Sequence, residues 1–455
     1  MRIVVDANLT IVGPPPAVRR RVLQWATFRR RGRLPPRARR WVRCWYADPR
    51  RVTIPIGLWD RVQHWPPCAG QPLIDQRFAG PPIDLGWRGR LYPYQAAACR
   101  AVLARGGGIL VSLPGSGKTI MGVFCATAWR QPVLWLVHTK DLAEQARLRW
   151  REATGLPPAA LGLVGMGEDT TLTPGIRVYI GMMQTLARRP DLVRLLAQRV
   201  GTVIVDEAHH APADSLRRIL VRLPARHKLG LSATIDRTDG LGPMVRALLG
   251  PATRIPLPTL LAAGRVVRPH VFRVRTPFRL ARAGVSWAAL ERARAFDPDR
   301  TRLILALLQQ LQAQGRRVLV LVTRVDHARH LAAAARARGL PAVAVTGVVT
   351  PGLRQRMYRA TEAGQVILVA TRLADEGLDL PRLDTVLLAA AGRSPVRLQQ
   401  QIGRIMRTAP GKEAAWVFDL VDAHVPVLAR QARLRQWTYA QWDLPVRDLG
   451  GSDGR

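Results

Sequence analysis

The hydrophobic pattern changes character near residue 86. Beyond it, short apolar runs at 109–113, 133–137, 177–182, 202–205 and 228–232 alternate with helix-compatible stretches, and after a charged interval the alternation resumes at 318–322, 342–345, 366–370, 385–389 and 415–420. Continuous apolar runs of this length, each followed by a helical segment, predict strands buried on both faces, which is the signature of doubly wound parallel sheets. Two α/β lobes are expected. Before residue 86 the pattern differs: WVRCWYAD and RRVTIPIGL alternate like two strands of a hairpin, pointing to a small α+β module, and the Pro-rich stretch that follows reads as the linker out of it. The expected organisation is an N-terminal domain at 1–85, a first lobe at 86–260 and a second lobe at 261–455 ending in a helical tail.

Composition narrows the class. A chain of 455 residues with 48% hydrophobic content can bury several cores. No apolar run approaches the roughly 20 residues of a membrane span, and the N-terminus lacks the ordered charged and apolar regions of a signal peptide. A cytoplasmic protein without membrane contact is expected. Cys44, Cys68, Cys99 and Cys125 are scattered and suggest buried small hydrophobes rather than a zinc site or a disulfide framework. With 70 Lys+Arg against 31 Asp+Glu the net charge is +39, which calls for an anionic partner, nucleic acid first. Lysine occurs only at 118, 140, 228 and 412, so the excess is almost all arginine, and coding bias explains part of it. The N-terminal segment interleaves a dense arginine cluster with Trp25, Phe28, Trp41, Trp45 and Tyr46. Those aromatics can stack on bases beside phosphate-binding arginines, or they can form the core of the small module.

Residues 109–119, ILVSLPGSGKT, are an apolar strand, a tight turn and the start of a helix. Gly115, Ser116 and Gly117 let backbone N–H groups turn inward around a polyanion at a helix N-terminus, Lys118 reaches the outer phosphates, and the Thr119 hydroxyl can hold Mg2+. The strict phosphate-loop pattern has glycine where this chain has Ser112. The run 202–205 ends in Asp206-Glu207-Ala208-His209-His210, placing two carboxylates at the carboxyl edge of the sheet, the same edge as the loop. Asp206 suits a metal contact and Glu207 the activation of an attacking water. Gln95 carries an amide able to read both a donor and an acceptor on adenine. In the second lobe Gln400, Gly403, Arg404 and Arg407 recur at spacings of three and four, so on a helix they share a polar face while Ile402, Ile405 and Met406 fall elsewhere. Two guanidiniums aimed at a phosphate would be arginine fingers.

Taken together, Gln95, SLPGSGKT, HTKDLAEQ, DEAHH, GLSATIDRTDG, ATRLADEGLDLP and QQIGRIMR resemble the ordered motifs of superfamily 2 helicases, and DEAHH with GLSATIDRTDG is most similar to the XPB, phage UvsW-like and restriction-subunit branch. The resemblance covers about residues 91–428. It implies two tandem RecA-like lobes with ATP between them and a nucleic-acid strand tracked across both. It assigns Gln95 to adenine, Gly115 to Thr119 to phosphates and Mg2+, Asp206 and Glu207 to metal and water, Gly377 and Asp379 to ATP-coupled contacts, and Arg404 and Arg407 to the fingers. Gly181 stands where such helicases often carry a strand-contacting threonine. The chain ends soon after the last motif, so no attached nuclease is expected.

The function these features imply is ATP-dependent helicase or translocase activity on duplex or branched DNA. An RNA helicase is the nearest alternative, and a nucleotide-switched DNA clamp without directional movement is another. DNA is favoured over RNA as partner; protein partners are left open, and a monomer suffices.

Overall fold

The computed structural model describes residues 1–30, 40–166, 173–208, 213–235, 240–280, 284–371, 380–392 and 394–449. His209, His210, Gly377 and Asp379 lie outside them. The chain divides into two compact units, Met1–Leu113 with Gly117–Pro256, and Leu257–Arg455 with Pro114–Ser116.

The first unit opens with β1 (Arg2–Val5), β2 (Asn8–Val12), α1 (Pro16–Trp25), β3 (Thr27–Arg29), β4 (Trp41–Arg43), β5 (Tyr46–Asp48), β6 (Arg51–Pro55), α2 (Trp59–Gln63) and β7 (Leu73–Asp75). β5, β6, β2, β1 and β7 form one sheet in that order, antiparallel except for the parallel pair β1 and β7. Alternation explains it: Leu9, Ile11, Val52 and Ile54 are buried, while Thr10 and Thr53 pair on the other face through their hydroxyls at 2.9 Å. β3 and β4 form a separate two-stranded ribbon in which Phe28 and Val42 face the core and Arg29, Trp41 and Arg43 face outward.

The unit continues with α3 (Pro93–Arg105), β8 (Gly107–Val111), α4 (Lys118–Trp129), β9 (Val133–Val137), α5 (Lys140–Thr154), β10 (Leu161–Val164), β11 (Val178–Met182), α6 (Met183–Arg188), α7 (Pro190–Ala197), β12 (Thr202–Val205), α8 (Ala213–Leu220), β13 (His227–Ser232), α9 (Gly242–Leu249) and β14 (Ala252–Arg254). All seven strands are parallel, in the order β10-β11-β9-β12-β13-β8-β14. Every residue of β9 and β12 is buried, as a strand covered by helices on both faces requires.

The N-terminal sheet is fastened to this α/β core. Gly57 approaches α9 so closely that a Cβ there would lie 2.5 Å from the Arg246 carbonyl oxygen and the Gly250 nitrogen. Lys228 of β13, buried, donates to the carbonyls of Ala7 at 3.0 Å and Leu220 at 3.1 Å, and the Asn8 amide donates to Val221 O at 3.0 Å. The Pro-rich stretch expected as a linker is held down along its length. It contains β7; Phe78 N donates to Pro224 O, Ile83 N to Arg130 O and Arg88 N to Ala153 O.

The second unit comprises α10 (Leu257–Ala262), β15 (Pro269–Arg275), α11 (Trp287–Phe296), α12 (Pro298–Ala313), β16 (Val318–Leu321), α13 (Val325–Arg336), β17 (Ala342–Val345), α14 (Pro351–Glu362), β18 (Ile367–Ala370), β19 (Thr385–Leu388), α15 (Pro395–Ile405), β20 (Ala415–Val421), α16 (Pro426–Gln441) and β21 (Val446–Leu449). Its seven parallel strands run β17-β18-β16-β19-β20-β15-β21. Its interior holds paired charges: Arg300 Nε donates to Asp422 at 2.8 Å, and Arg435 pairs with Asp419, which also accepts the Tyr439 hydroxyl at 2.9 Å. Each buried charge thereby meets an opposite charge and further hydrogen bonds, the condition for tolerating it. Two doubly wound α/β lobes preceded by a small mixed-sheet domain are the architecture the alternation predicted, and the RecA-like form is the one the resemblance implied. Among the described residues no helix is long and apolar enough to cross a membrane, and no cluster of His, Cys, Asp and Glu could hold a metal by itself. All four cysteines are buried and free.

Candidate nucleotide site

The loop between β8 and α4 sits at the carboxyl end of a strand flanked on both sides, by β13 and the edge strand β14. Gly115 and Gly117 both stand at φ +83°, the left-handed region open to glycine, which turns successive N–H groups toward one side. At Gly117 the Gln95 amide comes close: a Cβ there would lie 2.4 Å from Gln95 Nε2. That proximity brings Gln95, the adenine candidate, against the phosphate loop. Gln95 is buried in the first turn of α3, where its Oε1 accepts the Tyr92 N–H at 3.0 Å and so orients the amide.

Lys118 is buried and its ammonium donates to the carbonyls of Ser112 at 3.1 Å and Leu113 at 3.2 Å, folding back over the loop it begins from. Ser112, which replaces the expected glycine, is buried, and its hydroxyl has no hydrogen-bond partner among the described residues. Thr119 follows in the first turn of α4, half-buried, and Ser116 is buried.

β12 delivers the two carboxylates. Asp206 is buried, with its N–H donated to Leu136 O at 2.9 Å and its Oδ1 accepting the Glu207 N–H at 2.9 Å. Burial, reinforced by the neighbouring Glu207 carboxylate and opposed by the Lys118 ammonium, holds the Asp206 carboxyl well above the usual carboxylate range. A divalent cation beside it would reverse that cost. The donor set therefore fits the group: one buried acid, a loop hydroxyl at Thr119 and a lysine within electrostatic reach suit a hydrated Mg2+ carried in with phosphates, and do not suit a cation held by protein alone. The segment after β13 lies close by in the backbone ladder: Ser112 N donates to Ser232 O at 3.0 Å, and Ser232 Oγ bonds back to the carbonyl of Thr234.

Arg404 and Arg407 are both half-buried. The helical face expected to carry them holds Gln400, Gly403 and Arg404 on α15, but the helix ends at Ile405, and Arg407 pairs across an antiparallel bridge with Val266. Val267 N donates to Met406 O at 2.8 Å and fixes that exit. Ile402, Ile405 and Met406 are buried, the packing side the pattern required. Gly181 lies inside β11, where a Cβ would meet Leu186 at 2.7 Å, so the position serves packing. Thr185, in α6, bonds Gly165 O at 3.1 Å.

A glycine turn after β8, a carboxylate pair at the end of β12 two strands away and a second sheet of the same strand order are the frame of a pair of RecA-like lobes. Residues 88–237 match the family model described as type III restriction enzyme, res subunit, and residues 300–409 match the helicase conserved C-terminal domain. The chain belongs to the superfamily 2 helicases. It is 27% identical over 348 residues to helicase 22 of Sulfolobus islandicus filamentous virus, covering 70% of this chain and 61% of that protein. It is 28% identical over 387 residues to the DNA 3'-5' helicase XPB of Kineococcus radiotolerans, covering 81% and 67%. The chain thus spans about three fifths to two thirds of the length of these relatives. Among solved structures, a fragment of an HsdR subunit of a type I restriction enzyme from Vibrio vulnificus shares the fold, with a TM-score of 0.58 at 18% identity, covering 80% of this chain and 69% of that one.

Proposed function

We propose that this chain is an ATP-dependent DNA helicase or translocase acting on duplex or branched DNA. The observation that carries the reading is the convergence on one sheet edge of the Lys118 loop, the Gln95 amide and the Asp206–Glu207 pair, in a chain whose relative in Kineococcus radiotolerans is named a DNA helicase. Mg2+ bound with ATP would neutralise the phosphates and polarise the bond to be broken. The chain's own residues do the rest. Loop N–H groups from Gly115 to Thr119 hold the phosphates, Lys118 exchanges its two loop carbonyls for phosphate oxygens, Thr119 and Asp206 hold the cation's water shell, and Glu207 takes a proton from the attacking water. Gln95 selects adenine. Arg404 and Arg407, with Gly377 and Asp379, make turnover depend on the second lobe.

A DNA motor is favoured over a switched clamp because Glu207 and a pair of arginines are needed for hydrolysis and not for binding alone. The test is ATP hydrolysis measured with single-stranded DNA, duplex DNA, forked DNA and RNA side by side, together with displacement of an annealed strand. The expected result is stimulation by DNA above RNA with strand displacement or translocation. Stimulation by RNA alone would replace DNA with RNA, and tight ATP-dependent DNA binding without turnover would make the chain a clamp.

A further inference from the structure

Four arginines surround an open groove of about 570 Å3 on the first unit, between α6 and α7 on one side and α8 on the other. Arg188, Arg217, Arg218 and Arg222 line it together with the apolar Leu186 and Val193, and among the described residues no acid lines it. The two acids these helices carry are engaged elsewhere. Asp191 is held by Arg189 at 2.7 Å, and Asp214 by Arg30 of the N-terminal domain at 3.3 Å. Arg217 Nε is buried and has no hydrogen-bond partner among the described residues. Arg222 turns one nitrogen to Arg218 O at 2.6 Å, in the last turn of α8, where the end carbonyls need a donor. Arg188 and Arg218 are exposed. Four guanidiniums facing one groove repel each other, and an anion between them removes that cost.

The groove adjoins a second basic surface. The Arg30–Asp214 pair ties the β3–β4 ribbon to α8, and Cys44, just past β4, feels the charges of both Arg217 and Asp214. The outer face of that ribbon carries Arg29 6.0 Å over the ring of Trp41, which is 54% exposed, with Arg43 on the same face. An open groove whose α8 wall is tied to a ribbon bearing an arginine–tryptophan face suits a chain of phosphates better than a single small anion, because each guanidinium can fork onto a successive phosphate.

We propose that the groove between α6–α7 and α8 is a nucleic-acid backbone site, separate from the nucleotide loop, that holds duplex DNA on the flank of the first unit. The choice of DNA as the polyanion rests on the functional reading above. The groove's charge, its open form and the absence of local acids do not.

The experiment uses the full chain. Binding of a fluorescent 20-bp duplex is measured without nucleotide between 50 and 200 mM salt for the wild type, Arg188→Gln/Arg218→Gln and Arg188→Lys/Arg218→Lys. Both positions are exposed, so the fold should tolerate them, and thermal melting checks this. Each lost phosphate contact should lower the slope of log affinity against log salt by about 0.9. The Gln pair should therefore show a slope reduced by about 1.8, an affinity loss at 50 mM salt about tenfold larger than at 200 mM, and unchanged nucleotide affinity. The Lys pair, which keeps the charge, should retain most of the slope. An unchanged slope in the Gln pair overturns the proposal. So does a thermal midpoint raised by inorganic phosphate in the wild type but not in the Gln pair when DNA slopes are equal, which would make the groove a small-anion site. Loss of DNA-stimulated hydrolysis in the wild type itself would instead strike the functional reading.

Discussion

Asp206 and Glu207 are tied by a one-residue hydrogen bond, the Glu207 N–H donating to Asp206 Oδ1 at 2.9 Å, while Glu207 stands at φ +45°. A left-handed glutamate costs on the order of 1 kcal/mol or more, and the bond to its neighbour helps hold it there. The turn parts the two carboxylates at the strand end, one buried in the loop's surroundings and one half-buried. Glu207→Gln keeps the shape and removes the proposed base. Its expected behaviour is nucleotide affinity near wild type with turnover reduced by about 10^2 to 10^4, read by equilibrium binding and steady-state hydrolysis. Hydrolysis near the wild-type rate would remove Glu207 from the chemistry.

Lys118→Ala tests the loop itself. The ammonium bridges the Ser112 and Leu113 carbonyls, so its removal takes away a loop tie together with the proposed phosphate ligand. Nucleotide binding, followed by titration calorimetry, should weaken at least tenfold. Undiminished affinity would mean that the loop does not hold phosphates.

How much of this was legible in the sequence depended on whether the signal was local. The strand, turn and helix at 109–119 stood out because a buried parallel strand is an unbroken apolar run and the turn needs glycine at fixed positions. β10 and β14 escaped notice: one is four residues interrupted by Gly162, the other three residues at a sheet edge ending in an exposed arginine. β15 was hidden for a different reason. PHVFRVR mixes His270, Arg273 and Arg275 into the strand, and only its place between β20 and β21 makes it one. Arg407 shows the limit of spacing arguments, since i, i+3 and i+4 arithmetic assumes a helix that stops at Ile405. The N-terminal aromatics divided: Phe28 is buried and Trp25 and Trp45 half-buried in the small core, whereas Trp41 and Tyr46 are exposed.

Arg407→Ala should leave ATP affinity within about tenfold of wild type while DNA-stimulated turnover falls by about 10^3 or more, because a finger acts on charge that develops only in the transition state. Arg407→Lys should fail to restore it, since an ammonium lacks the planar fork. Nucleotide binding and single-turnover hydrolysis separate the two effects. Robust stimulated hydrolysis by Arg404→Ala/Arg407→Ala would remove both residues from the catalytic group.

Lys228 makes stability depend on pH. Burial pulls its ammonium down to about 7, against an ordinary value of 10.5, with nearby Asp6 acting the other way. Between about pH 7 and 10.5 the unfolded chain therefore holds a proton that the folded chain has released, and stability rises with pH by up to about 1.4 kcal/mol per unit. That gain is lost as pH falls back through the same window. Denaturant unfolding of wild type and Lys228→Met should diverge across it, with the variant showing the flatter profile. Parallel profiles would mean that Lys228 keeps its ordinary affinity for protons.

The seam at Gly57 decides how the N-terminal domain can be studied at all. With the Arg246 and Gly250 backbone 2.5 Å from where a methyl group would stand, the two surfaces meet main chain to main chain, and the 66–88 stretch is laced to Pro224, Arg130 and Ala153. A protein cut at residue 85 would begin with raw apolar surface around Ala225 and Leu249 turned to water, and its weakened DNA binding would report aggregation as readily as a missing contact. Surface point changes such as those at Arg188 and Arg218 are the cleaner instrument, and Gly57→Ala is a wedge: one methyl group that pries the domain from the motor without removing it.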